Sequence, residues 1–480
     1  MLKRCVWVLS ALMLGVVTVV AAEAGDPTFL PNLFPFPNSH GILKSFSATG
    51  KVDLTGPFFQ SLGTNGRSCA TCHQASDSWS VSAPHIAERF EETKGLDPIF
   101  RTNDGSNCDH SIDTSTMEGR RQAYSLLISR GLIRVAMAVP AGAEFEVVSV
   151  SNPYGCHDTS TLSMYRRPLP STNLRFLSTL MWDGRESSAQ TGAQPITFAT
   201  NPSDLMFDLA HQAVDATNGH AQGSTPLTAQ QQQQIVAFEM GLSTAQAIDF
   251  GAGSLNAHGG SGGPVALFNQ PFFVGINDPL GQNPFKTPFN PVIFTLFTPT
   301  WVHAQSDEER DDDRDGHHAT HRASILRGQT LFNSHPINIT GVGGLNDATG
   351  LPLINGTCGT CHDTPNAGNH SVSAPLNIGV ADVTNPLGVS YLPVITLRQK
   401  ADPTKEISTT DPGRALVTGK WADIGKFKGP IPRGLSARAP YFHNGSAAGL
   451  KDVIEFYNVR FDMGLTEREK ADLVAFLSAL

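Results

Sequence analysis

Charge is scarce in this chain. Only 16% of its 480 residues are Asp, Glu, Lys or Arg, against roughly 25% in an average soluble domain. The balance is acidic, with a net charge of −9, and no basic arm occurs, which excludes nucleic acid as a partner. Beyond the N-terminal segment no apolar run reaches the ~20 residues of a membrane span. Cysteine is also rare: there are seven, few enough to account for singly. What is abundant is glycine (45) and proline (32), in a chain that is 40% hydrophobic. Such a composition predicts extensive irregular loops and short helices rather than a regular bundle or sheet, and the length suggests two to three domains.

The N-terminus, MLKRCVWVLSALMLGVVTVVAAEAGDP, has the basic start, the apolar run from Val6 to Val20 and the small-x-small end (Ala22-Glu23-Ala24) of a secretory signal peptide spanning 1–24. A retained anchor is the competing reading, but the run is short for one. The mature protein is thus expected in the periplasm without a membrane span, and Cys5 should leave with the leader.

Two stretches carry the chemistry, CATCH at Cys69–His73 and CGTCH at Cys358–His362. Each is a C-x-x-C-H, the attachment sequence of c-type haem. Two thiols three positions apart add to the two vinyl groups of one haem, and the adjacent histidine meets the iron. From the cysteine and histidine content, chance would supply about 0.003 such matches, so a zinc or redox C-x-x-C is a poor alternative. Cys69, Cys72, Cys358 and Cys361 are therefore read as attaching two covalent haems, with His73 and His362 as iron ligands. Cys108 and Cys156 remain. The simplest account is a disulfide between them, as export permits, although two unpaired thiols stay open. Cys156-His157 is no third site, because Pro153 stands where its first cysteine would be.

The halves repeat beyond these motifs. SVSAP follows each, at Ser80–Pro84 and Ser371–Pro375, and LTAQQQQQIVAFEMGL (Leu227–Leu242) aligns without gaps to LTEREKADLVAFLSAL (Leu465–Leu480). Both blocks read as closing helices with an N-cap threonine. MWDGRE (Met181–Glu186) and YFHNGS (Tyr441–Ser446) lie between. The order is that of a small cytochrome c domain. The expected fold is mainly α: two tandem cytochrome c-like haem domains, 40–247 and 322–480, with extensive irregular loops. An insertion at about 90–165 and a connector at 248–321 complete the layout. The connector ends in a charged run whose Asp311, Asp313, Asp315 and Gly316 fit the start of a calcium loop, but Arg322 stands where the bidentate Glu belongs.

Together these landmarks resemble the bacterial di-haem cytochrome c peroxidase family, which includes MauG. The matching residues are the tandem CxxCH sites, WDGR after the first and RGQTLF (Arg327–Phe332) before the second. DPGR (Asp411–Arg414) and RGLSARAPYFHNGSAAGLKDVIEFYN (Arg433–Asn458) match as well. The resemblance implies a peroxidatic N-terminal haem and a C-terminal haem that collects electrons. It further implies reduction of hydrogen peroxide with electrons from a small donor protein such as a cytochrome c or cupredoxin, and leaves a homodimer open. MauG-type members turn the same oxidising power on a protein substrate, and a non-catalytic electron-transfer cytochrome is a third reading.

The resemblance makes Trp182 an electron relay, with a buried core tryptophan as the bland alternative. A family methionine falls fourteen residues after the turn histidine; counting from His443 lands on Tyr457, as in MauG-like members. Met463, His370 and His443 are alternatives as sixth ligand, as is none. For the first haem, His85 is a candidate resting ligand or else an exposed loop histidine. Gln212 matches the distal glutamine, but Gln222 takes the carboxylate's place, and a neutral amide cannot accept a proton. His220 is the nearest suitable base, with Gln194 and Glu186 as weaker candidates. Pro168 stands where the family's calcium asparagine belongs, so calcium is open but unsupported.

Overall fold

A computed structural model describes residues 28–108, 112–186, 198–303 and 312–480, with the backbone alone for 312–316. The signal peptide at 1–24, Gln194 and Asp311 lie outside the described residues. Among those described, no helix is long and apolar enough to cross a membrane.

The expectation of a mainly α fold is wrong. The chain is mixed, with about 31% helix and 18% strand, the strands forming five sheets of two to four strands. The reason lies in period-two runs whose partners are far away in sequence. Gly41–Ser47 alternates buried and half-buried residues and pairs antiparallel with Leu242–Asp249, about two hundred positions on. In the insertion, Phe145–Ser151 pairs with Val394–Gln399, which in turn pairs with Glu406–Thr409. Phe145, Leu162, Met164, Ile395 and Leu397 close a shared core there. Each strand buries one face, but the contacts that select it cannot be seen locally.

The two closing helices form where the repeat places them, at Ala229–Met240 and Glu467–Ser478. Thr228 and Thr466 cap them in capping boxes with Gln231 and Glu469. The second lies along the long helix Asp312–Ser334, and RGQTLF explains the contact. Arg327 grips Asp472 with bonds of 2.8 and 2.7 Å. At Gly328 a Cβ would stand 2.0 Å from the Asp472 carbonyl oxygen, so only glycine permits the approach. The SVSAP segments diverge: in the first, Ser82 caps the helix Ala83–Thr93, while the second stays in a loop. Cys108 and Cys156 are disulfide-bonded.

Candidate functional site

Each CxxC forms a single 3-10 turn, Cys69–Thr71 and Cys358–Thr360, boxed by Ser68 with Thr71 and by Thr357 with Thr360. The turn brings the histidine amide back onto the first cysteine carbonyl, at 3.0 Å in both. Both cysteines and the histidine thus face one cavity. The cavities measure about 180 Å³ and 220 Å³, far beyond the water-sized voids of a packed interior.

Four observations test whether these residues fit haem. First, burial pushes the thiols of Cys69, Cys358 and Cys361 up to about 12, and that of Cys72 in the same direction. Burial therefore favours the neutral thiol over the thiolate that redox exchange uses. Second, His73 Nδ1 lies 2.9 Å from the Trp79 carbonyl and His362 Nδ1 2.7 Å from the Gly368 carbonyl. A carbonyl only accepts, so Nδ1 carries the proton and Nε2 keeps its lone pair for a metal. Burial holds both imidazoles neutral, His73 at about 4. Third, Arg433, Arg167 and Lys428 are buried, and Arg438 half-buried, along the walls of the two cavities. Burial lowers Arg433 and Arg167 to about 9, Arg438 to about 10 and Lys428 to about 7. Arg433 Nε and Nη2 and Arg438 Nε have no partner. Anionic propionates would satisfy them. Fourth, the voids are lined mainly by apolar side chains. The residues fit two haems.

The walls of the cavities differ. In the first, helix Pro202–Gly219, capped by the Asn201 side chain, presents Gln212, and His220 follows at its end. Asp104 bonds His220 Nδ1 and is itself gripped by Arg67. Burial raises the Asp104 carboxyl, but His220 and Arg67 outweigh it and hold it low. Behind His73, Ser171 Oγ lies 2.9 Å from Nδ1, and the buried Glu239 bonds Ser171. Burial pushes Glu239 up to about 8. The second cavity contains Tyr457, Met463, His370 and His443. Burial raises the Tyr457 phenol and lowers His443 to about 4.

Trp182 lines both cavities, donating from Nε1 to the Arg167 carbonyl at 2.7 Å, with its ring 6.0 Å from that of His443. The WDGR and DPGR motifs hold it through one buried arginine. Arg166 bonds Asp411 at 2.7 and 2.9 Å and pairs with Asp183. Arg414 closes the clamp on the carbonyls of Asp183 and Gly184 at 3.1 and 3.2 Å. Burial raises the Asp183 carboxyl, but Arg166 and Arg185 dominate and hold it at about 2.

Trp182, Gln212, His220, Tyr457, Met463, His370 and His443 line a cavity, whereas His85 is half exposed and paired with Asp77. Glu186 bonds His211 at 2.7 Å and does not line the first cavity. Sequence reasoning missed Asp104, Arg67, Lys428 and Glu239. Only Glu239 left a signal: in the aligned helices it stands where Leu477 stands, a charge at a buried apolar position.

Two CxxCH cavities share a tryptophan wall, an arrangement suited to c-type haem. The chain is similar to several known proteins. A cytochrome c peroxidase of Denitromonas iodatirespirans, IdrP2, is 35% identical over 135 residues, covering 26% of this chain and 36% of that protein. The cytochrome c peroxidase IdrP1 of Pseudomonas sp. strain SCT is 31% identical over 149 residues, covering 27% and 38%. The cytochrome c551 peroxidase of Nitrosomonas europaea is 36% identical over 85 residues, covering 17% and 25%. The matched stretch thus spans little more than a third of these relatives at most. A solved MauG-like protein associated with microbial copper homeostasis aligns over 88% of this chain and 85% of its own, at 15% identity and a TM-score of 0.31. No family model matches. Over the matched stretches the chain is similar to bacterial cytochrome c peroxidases.

Proposed function

We propose that the protein is a periplasmic di-haem peroxidase that reduces hydrogen peroxide to water, two electrons and two protons being consumed per peroxide. Its haems attach covalently at Cys69 and Cys72 and at Cys358 and Cys361, in domains 40–247 and 322–480. The single observation that carries this reading is the asymmetry of the cavities: the first sets a histidine held by a buried aspartate, His220 with Asp104, beside an amide, Gln212, whereas the second sets Tyr457 and Met463 beside His370 and His443. Bound haem would supply the iron that exchanges electrons with peroxide. Gln212 orients the peroxide oxygens. His220 accepts the proton from one oxygen and returns it to the other, and Asp104 fixes the ring so that Nε2 is the basic atom. Trp182 carries electrons from the second cavity to the first. The donor is a small redox protein.

Tyr457 favours a second reading, a MauG-like oxidase of a protein or organic substrate, because a phenolate ligand lowers the potential of an iron. One experiment separates the readings. Electronic and paramagnetic spectra are recorded before and after partial reduction and peroxide addition, and turnover is measured with reduced cytochrome c. Peroxidase activity predicts a high-spin population and rapid donor oxidation. Peroxide consumption without donor oxidation supports the second reading. Two low-spin, peroxide-indifferent haems leave a pure electron-transfer cytochrome.

A further inference from the structure

A third cluster of metal-binding groups lies behind the second cavity. Asp278, Asp363 and His370 are 2%, 0% and 6% exposed, and one ligand atom from each lies within 4.8 Å of the others. Asp363 and His370 come from the loop after the second CxxCH, and Asp278 from the connector. The backbone already ties these segments together. The Gly275 amide donates to the Ser371 carbonyl at 2.9 Å, and the Asn277 side chain donates to the Asp363 carbonyl at 3.1 Å.

Each carboxylate uses one oxygen to anchor itself. Asp278 Oδ2 accepts from the Gln282 amide at 2.7 Å, and Asp363 Oδ1 accepts from the Ser371 amide. The other oxygens, Asp278 Oδ1 and Asp363 Oδ2, have no hydrogen-bond partner, and neither ring nitrogen of His370 has one. His370 Nδ1 lies 3.0 Å from Asp363 Oδ2, an ion-pair distance. No lysine or arginine pairs with either carboxylate among the described residues. Two buried carboxylate oxygens and a buried imidazole are thus left without hydrogen-bond partners, an arrangement that a cation would satisfy.

We propose that Asp278, Asp363 and His370 bind one divalent first-row metal ion, for which Zn²⁺ is the best match, clamping the connector to the second haem loop. Two carboxylates and one imidazole, with a water as fourth ligand, suit zinc. Calcium demands six to eight oxygens, and magnesium likewise favours an all-oxygen shell. A rival cluster, Glu186, His211 and Asp215, has two exposed members.

The test uses the purified holoprotein, stripped with EDTA, titrated with Zn²⁺ and dialysed. Elemental analysis should then find one zinc per chain beyond haem iron, and the unfolding midpoint should rise. Asp278→Asn should lose the zinc while keeping the haem spectrum, whereas Glu186→Gln should retain it. A wild type that holds no zinc and shows no shift in midpoint overturns the proposal. So does zinc lost in Glu186→Gln but kept in Asp278→Asn. If Asp278→Asn does not fold, the wild-type and Glu186→Gln titrations decide.

Discussion

The two cavities offer a haem nearly the same setting and differ in what else they contain. Both have a boxed 3-10 turn and a neutral imidazole whose Nδ1 is committed to a carbonyl. The first adds His220, Asp104 and Gln212, together with a buried carboxyl behind its ligand. The second adds a phenol, a thioether and the buried His370 and His443 among apolar walls. The motif geometry is therefore shared, and the differences lie in side chains that the repeat does not duplicate. The first cavity holds its histidine on a buried aspartate beside an amide, and among the described residues the second has no such hydrogen-bonded pair on His443 or Tyr457. That division suits one site for proton-coupled chemistry and one for electron storage.

The strongest way to break this comparison is to remove one haem at a time. Replacing Cys69 and Cys72 by Ser, or Cys358 and Cys361 by Ser, should each leave one covalent haem, read by intact mass. Both variants should lose donor-dependent turnover, but only the first should lose the peroxide-reactive spectrum. If the second pair abolishes the reactive spectrum instead, the roles of the cavities are reversed.

Next in size is the clamp between them. Asp183→Asn leaves Arg166 short of one buried partner and should destabilise by about 3–5 kcal/mol, read from the denaturant midpoint. Because the folded carboxyl is held at about 2, below its unfolded value, its stabilisation is present above about pH 4. It is lost as pH falls through 2, and the variant should lack that acid-limb dependence.

His220→Ala should lower peroxide turnover by roughly 10²–10⁴-fold with little change in the second haem's spectrum. Asp104→Asn should shift the pH profile of turnover by loosening the same ring. Conversely, Tyr457→Phe should alter only the second haem's spectrum, and an unchanged spectrum removes it as a ligand.

The smallest effect concerns Glu239. Its carboxyl is raised to about 8, so between its unfolded value and pH 8 the folded state holds a proton that the unfolded state has released. Stability therefore falls as pH rises across that window. The first haem's spectrum should shift near pH 8 through Ser171 and His73, and Glu239→Gln should abolish the shift.

Much of this site was legible beforehand because haem attachment is local chemistry. Five consecutive residues specify thiols and ligand, and one turn brings them together. The closing helices were legible for the same reason, since their caps and periodicity lie within sixteen residues. The strands were not: Gly41–Ser47 and Phe145–Ser151 owe their state to partners roughly two hundred positions away. Asp104 was hidden in a turn-like TNDGSN stretch, and its role exists only because His220 folds onto it.

By itself the sequence displayed the two CxxCH motifs, the histidines beside them and the likeness to bacterial cytochrome c peroxidases, because motif spacing and repeat order survive without coordinates. Only the tertiary structure decided that the fold is mixed, that Cys108 meets Cys156, and that Trp182 lines both cavities. It also decided which cavity receives the base, and that a connector aspartate meets the second haem loop. These depend on long-range packing, where burial and partnering are set by residues that no local pattern brings together.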